Sequence, residues 1–243
     1  MNKSWVLLLW FTSLACRAGF SQSSITILSG KDFEQGSDRE RVELTYESLN
    51  IYKYGDSFFW IDVTSPFNKK SSNRETNMYG EWAPRLSVAK ILDWKLEGFV
   101  SDVLLSTGFE FGNSSFGQTR TSLYGIGVDL KIPGFKFFSY NLYVRDNIDK
   151  QGTSLQSTFV YNLPFQIADQ SFALNAYIDI VHSDEGEGSN LTEAHINTAQ
   201  QLHYYVIADM FSIGLEYQYW NRKFGIQGGF VENNLKVFAQ WVF

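Results

Sequence analysis

Polar, charged and aromatic side chains recur at every second position along much of this 243-residue chain. Glu43, Thr45 and Glu47 form one such set, Phe58, Trp60 and Asp62 another, and Glu81, Arg85 and Ser87 a third. The same even spacing joins Asp102, Ser106 and Glu110, then Asn141, Tyr143 and Arg145, then Gln156, Thr158 and Asn162. Later sets are Asn175, Tyr177 and Asp179, then Gln201, His203 and Tyr205, then Glu216 and Gln218, while Asp129 stands apart. A period of two puts each set on one face of a strand. Carboxylates, guanidiniums and amides on such a face can bond hydroxyls or the edges of a heteroaromatic ring. Phe58, Trp60, Tyr143, Tyr177 and Tyr205 can stack on the plane of that ring, worth about 1–3 kcal/mol per base. Weak and repeated contacts suit a path along which a solute moves, because a tightly held solute cannot leave.

Catalytic chemistry finds less support. The chain has three histidines, His182, His195 and His203. Ser183, His182 and Asp184 are the one Ser-His-carboxylate set in reach, but neighbours at a strand end point to opposite faces. There is no HExxH, no CxxC and no phosphate-binding glycine loop. Zinc on the three histidines would require the segment between His182 and His195 to fold back on the strands. The acidic residues Asp184, Glu185, Glu187 and Glu193 lack the fixed spacing of a calcium loop. Cation-bridged contact with lipopolysaccharide phosphates is a second reading of that loop. The expectation is no metal, no cofactor and no enzyme.

Composition narrows the rest. The chain is 17% aromatic and 19% charged, which is incompatible with a solvated disordered chain. One cysteine cannot form an internal disulfide. A net charge of −6 leaves no basic footprint for nucleic acid. Residues 1–18 read as a cleaved signal peptide: Lys3 supplies its leading positive charge, Trp5–Leu14 is its apolar stretch, and Cys16 and Ala18 are the small residues before the cut. Ser13-Leu14-Ala15-Cys16 leaves open a second reading, a lipidated Cys16. The mature domain is then 19–243.

The faces opposite the polar sets are apolar. Phe172, Leu174, Ala176, Ile178 and Ile180 share one face, Ile213, Leu215, Tyr217 and Tyr219 another, and Tyr124, Ile126, Val128 and Leu130 a third. A soluble sandwich also alternates. Here the segments reach the ~9–11 residues of a tilted transmembrane strand. Aromatics such as Phe109, Phe111, Trp241 and Phe243 fall near segment ends, as in an interfacial girdle. Short connections at 53–55, 133–134 and 209–210 alternate with long ones at 30–39, 65–77, 112–118, 183–194 and 221–233. The last segment, Leu235–Phe243, ends on an aromatic, as closing strands of outer-membrane proteins do. The fold class is all-β, a transmembrane antiparallel up-and-down barrel. Its twelve strands are predicted at 23–29, 40–51, 57–64, 79–90, 101–111, 119–131, 135–146, 153–163, 171–182, 196–208, 211–220 and 235–243. The first is the weakest, and ten strands remain an alternative.

In such a barrel the polar sets line the lumen. Charges there need water or partners. Candidate solute-binding residues are Glu47, Phe58, Trp60, Asp62, Glu81, Arg85, Asp129, Tyr143, Arg145, Tyr177, Asp179 and Glu216. The alternatives are a plugged barrel, in which Arg85 and Arg145 pair with carboxylates and the long loops bind partners, and a hydrolase with its site at the loop rim.

Tyr46-Glu47, Glu81-Trp-Ala-Pro84-Arg85-Leu-Ser87-Val-Ala-Lys90, Tyr124-Gly-Ile-Gly127-Val-Asp129 and Tyr219-Trp220 resemble the Tsx family of nucleoside-specific channel-forming outer-membrane proteins. The first hairpin, Ile27-Leu-Ser-Gly-Lys31-Asp32-Phe33, departs from the family pattern. The resemblance implies a monomeric twelve-stranded barrel in the bacterial outer membrane that passes nucleosides and deoxynucleosides, with no cofactor and no energy coupling. It carries over Glu47, Glu81, Arg85 and Asp129 as lumen residues.

Overall fold

The computed structural model describes residues 19–34, 39–67, 76–114, 117–148, 152–183, 192–225 and 228–243. The expected signal segment, with Cys16, lies outside them, as does Asp184. The alternating sequence folds as strands: β1 (Phe20–Lys31), β2 (Glu40–Tyr52), β3 (Gly55–Thr64), β4 (Asn77–Ser87), β5 (Val100–Ser114) and β6 (Gly117–Leu130). There follow β7 (Phe137–Asn147), β8 (Thr153–Ile167), β9 (Gln170–Val181), β10 (His195–Ile207), β11 (Phe211–Asn221) and β12 (Glu232–Val242). Each strand pairs antiparallel with its sequence neighbours, and β1 pairs with β12 to close the barrel. That seam runs from Ser24 opposite Val242 to Gly30 opposite Lys236. Closure leaves no strand edge with unpaired amides, which hydrocarbon demands.

Register and burial fix the faces. Ile126 is 57% exposed and Val237 57%, whereas Ser106 and Ser212, on inward positions, are 0% and 1%. Outward side chains form an apolar band. Near the end where β8 meets β9, Phe165 stacks on Phe172, which leans on Tyr204, and Phe211 lies against Trp241. These rings build one interfacial belt. Both chain ends of the barrel lie on this side, where Gly19 donates to the Ile51 carbonyl and Ser23 to the Phe243 carbonyl.

Two expectations need correction. The fourth strand was expected to run to Lys90, but it stops at Ser87, whose hydroxyl accepts from the Lys90 amide and caps a short helix, α1 (Val88–Ile91). A serine cap redirects the backbone because it satisfies a donor that a strand neighbour would otherwise have to meet. The connection at 112–118 is not a long loop either: β5 and β6 pair out to Ser114 and Gly117. The alternation of short and long connections is therefore imperfect, since the link from β4 to β5 is among the longer ones on the short-turn side.

The two faces respond differently to a charge. Leu215→Arg puts a guanidinium into lipid and should lower the stability of the folded barrel in liposomes by about 2–4 kcal/mol near midplane. Gln218→Arg, on the inward face of the same strand, should leave the urea midpoint nearly unchanged. Equal losses would show that the two faces are exchanged.

Candidate functional site

All twelve residues expected in the lumen occupy inward positions. Across β2, β3, β4 and β5, Glu47 stands opposite Trp60, Trp60 opposite Glu81, and Glu81 opposite Glu110. Asp62 pairs in register with Thr45, and Phe58 with Ala83. Asp129 ends the inward row of β6 opposite Ser139, and Tyr143 faces Gly125 on that row. Asp179 lies opposite Thr158 and Asn197, Tyr177 opposite Ala199, and Glu216 opposite Lys236.

Three ion-paired cations organise the interior, Arg85 half-buried and Arg145 and Lys236 buried. Near the short-turn end, Arg85 grips Asp56 with two bonds of 2.8 and 2.7 Å and reaches Asp129 at 2.8 Å. Ser139 donates to the same Asp129 at 2.7 Å. Farther along, Arg145 makes a fork on Glu110, with Nη2 2.6 Å from Oε2, and donates to Gln156 at 2.7 Å. On the closing strand, Lys236 joins Glu43 at 2.6 Å and Glu216 at 2.9 Å. Such bonds hold charged groups away from water only because both signs and the remaining lone pairs are met.

The same pairing divides the lumen. Tyr143, Arg145, Glu216 and Lys236 are buried and form closed walls. Glu47, Phe58, Trp60, Asp62, Glu81, Tyr177 and Asp179 are half-buried. Among the described residues, Glu47, Asp62, Glu81 and Asp179 make no ion pair. Glu47 accepts from Ser24 at 2.9 Å, Asp62 from Thr45 and Asp179 from Thr158 at 2.6 Å, while Glu81 stands in register between Trp60 and Glu110. Strand β9 faces β3 and β4 across the barrel, so that Asp179 lies within electrostatic reach of Glu81, and Tyr177 of Asp62. Trp60 and Tyr79 pack at 5.4 Å between centroids. The result is a half-open strip of carboxylates and rings between two sealed walls. At the loop-side rim outside the strands, Lys223 is buried against Glu232, and that burial pushes its ammonium pKa down.

Lys236, Asp56 and Tyr79 also face inward, outside the sets that the sequence pattern singles out. Lys236 was legible: it alternates with the apolar row of the last strand and is that row's inward counterpart. Asp56 sits at the start of β3, ahead of the expected boundary at residue 57. Tyr79 is an aromatic whose inward direction only the register with Asp62 decides.

A hydrolytic set does not assemble. Ser212, His203 and Asn175 form a hydrogen-bonded chain, 3.0 Å from Oγ to Nδ1 and 3.1 Å from Nδ2 to Nε2. It resembles a nucleophile relay, but Ser212 is 1% and His203 0% exposed, and Phe238 covers the imidazole at 4.7 Å. No substrate reaches that hydroxyl. His182 and Ser183 are exposed at the outer end of β9. No group of three metal-ligating side chains occurs among the described residues.

A family model described as nucleoside-specific channel-forming protein, Tsx, matches residues 22–241. The chain belongs to the Tsx family. It is thus a channel of the bacterial outer membrane and not an enzyme. Among solved structures, it is similar to the KdgM porin, with 10% identity over 90% of this chain and 99% of that one at a TM-score of 0.50. The NanC porin shares 14% identity over 89% and 98% of the two chains, with a TM-score of 0.49. At such identities the KdgM likeness supports the fold alone. No curated protein matches the chain. The Tsx segments noted in the sequence lie on β2, on β4 running into α1, on β6 and on β11. They place Glu47 and Glu81 on the half-open strip, and Arg85 and Asp129 in the ion cluster at the short-turn end.

Removing one member of a sealed pair exposes the cost of the other. Arg145→Ala leaves Glu110 buried without its cation and should destabilise the barrel by about 3–5 kcal/mol. Asp179→Asn, on the strip, should shift the urea midpoint little. Similar midpoints for the two variants would contradict the division into walls and strip.

Proposed function

We propose that nucleosides and deoxynucleosides diffuse down their gradient along the half-buried strip. The observation that carries this is the pairing of ring faces with uncompensated carboxylates on one side of a Tsx-family lumen. Phe58, Trp60 and Tyr177 stack the base, while Glu47, Asp62, Glu81 and Asp179 accept from ribose hydroxyls. Arg85 and Asp129 line the short-turn exit. Tyr143, Arg145 and Glu216 keep the walls in place rather than touch the solute. Neutral solutes gain from both sets of contacts, and no contact is strong enough to trap them.

The protein works as a monomer, is exported by a signal segment removed after Ala18, and sits among outer-membrane lipids with its long loops toward lipopolysaccharide. The plugged-barrel alternative draws on the depth of burial at Tyr143, Arg145 and Lys236.

Liposomes holding the purified protein distinguish the two. Nucleoside uptake that saturates, with Trp60→Ala and Tyr177→Ala each raising the half-saturating concentration roughly tenfold through the loss of about 1–3 kcal/mol of stacking, supports the channel. Uptake no faster than in empty liposomes supports the plug.

A further inference from the structure

The connection from β6 to β7 folds back over the outer wall of β7 and β8. Phe138 and Tyr161 stand opposite each other on that wall, outward neighbours of the inward Ser139 and Asn162, and stack at 5.7 Å between centroids. Phe135, from the connection itself, meets both edge-on at 5.5 and 5.6 Å. Backbone bonds hold the fold-back: the Phe135 amide donates to the Ile132 carbonyl at 3.1 Å, and the Lys136 amide to the Asn162 carbonyl at 2.9 Å. Gly134, with φ 89°, makes the turn and comes close to Leu163, whose Cδ1 would lie 3.6 Å from an added Cβ. The turn bounds a cleft of about 510 Å³ whose walls include Ser101, Lys131, Phe135, Lys136 and Phe138. That volume is in the range of small-ligand sites, about 300–1,000 Å³. Lys131 and Lys136 are both exposed, and among the described residues neither has an ion-pair partner. Asp129, also on the wall of the cleft, is already held by Arg85 and Ser139.

We infer that this cleft binds the headgroup of an anionic phospholipid from the leaflet at the short-turn end. Lys131 and Lys136 take the phosphate, and the three rings take the glycerol backbone and the upper part of an acyl chain. The inference rests on the membrane-spanning fold and not on the solute. A lysine at a membrane interface lays its methylenes along apolar surface and keeps its ammonium at the depth of the headgroups. Aromatic rings favour the same depth. Two unpaired ammoniums beside one ring cluster therefore offer charge and apolar surface in the order a phospholipid presents them, phosphate outermost and chain beneath. The rings belong to the outward wall and continue the belt built by Phe165 and Phe172 at the same end of the barrel. Lipid covers that wall already, so a lipid molecule is the occupant at hand. Inorganic phosphate could meet the two charges but has nothing to place against the rings.

The probe is a phosphatidylglycerol with a fluorophore on one acyl chain, added to the purified protein in maltoside micelles. The matching phosphatidylcholine is the control, and fluorescence anisotropy reads binding. The wild-type protein should bind the phosphatidylglycerol more tightly. Lys131→Gln combined with Lys136→Gln should weaken that binding about twentyfold, from about fivefold for each lysine at an anionic headgroup, and leave the phosphatidylcholine unchanged. Phe135→Ala keeps both charges and should weaken both lipids. Equal binding of the two lipids by the wild-type protein overturns the assignment, as does wild-type affinity in either the lysine or the phenylalanine variant. Lys53→Gln removes a different exposed lysine at the same end, one that lies over the Tyr54 ring. A loss there as large as in the double variant means a general attraction to the rim and overturns the cleft as a site. Inorganic phosphate that displaces the phosphatidylglycerol at equal concentration overturns the lipid assignment, because the rings would then contribute nothing.

Discussion

Hydrocarbon leaves no water to satisfy a backbone amide, and the closed hydrogen-bond ladder is the consequence from which the rest of this molecule follows. Closure depends on joining the two ends of the chain, β1 to β12. That seam carries more than its ladder. Lys236 of β12 reaches past β1 to Glu43 of β2, and Gln240 bonds Thr26 at 3.0 Å and Glu47 at 3.3 Å. The last strand to be made is thus tied to the first two by side chains as well as by backbone. Once the ladder is closed, strand geometry assigns every second residue to the lumen, and the polar content of that row is no longer optional.

An enclosed row of charges must then be neutralised or hydrated. The interior does both, in different places. Arg85 and Lys236 each bridge carboxylates from two other strands, and Arg145 of β7 holds Glu110 of β5, so each ion pair also staples the wall. Small residues make room for this packing. A methyl group at Gly127 would come 2.6 Å from the Ser106 hydroxyl, which itself bonds Asn141 at 2.8 Å. Where no cation is within reach, the carboxylates sit half-buried, next to rings. The positions of three basic side chains therefore decide which part of the lumen is solid and which part stays wet.

The strand faces were legible because a period of two is strict: a shift of one residue would invert every side chain, so the apolar rows at Phe172–Ile180 and Ile213–Tyr219 sufficed to name the inward residues opposite them. Boundaries were less legible. Ser87 belongs equally to an alternating strand and to a helix cap, and the cap prevails only through its bond to the Lys90 amide. Asn113, Ser114 and Gly117 have turn-like composition, yet the β5–β6 ladder runs through them. For the candidate site, the sequence supplied which residues face inward but not which of them are sealed. Arg145 and Arg85 look alike in sequence, and Tyr143 looks like Tyr177. What separates them is the partner across the barrel, a contact between strands far apart in the chain that periodicity does not encode.

The combination of dry walls and a wet strip bears on how a channel without energy coupling selects its solute. A carboxylate such as Asp179 that already accepts from Thr158 and Gln156 retains lone pairs free to accept from water or from a hydroxyl. On the proposed path a ribose hydroxyl would replace such a water bond for bond, an exchange close to neutral that would release the solute as readily as it holds it. The rings would contribute the favourable part on that path, since a base gains stacking area that water cannot offer. Selection on such a path comes from stacking and from geometry rather than from a strong site. Were the four strip carboxylates paired with cations as the wall carboxylates are, hydroxyls would have no acceptor to exchange into, and the lumen would be closed by the same ion pairs that hold it together.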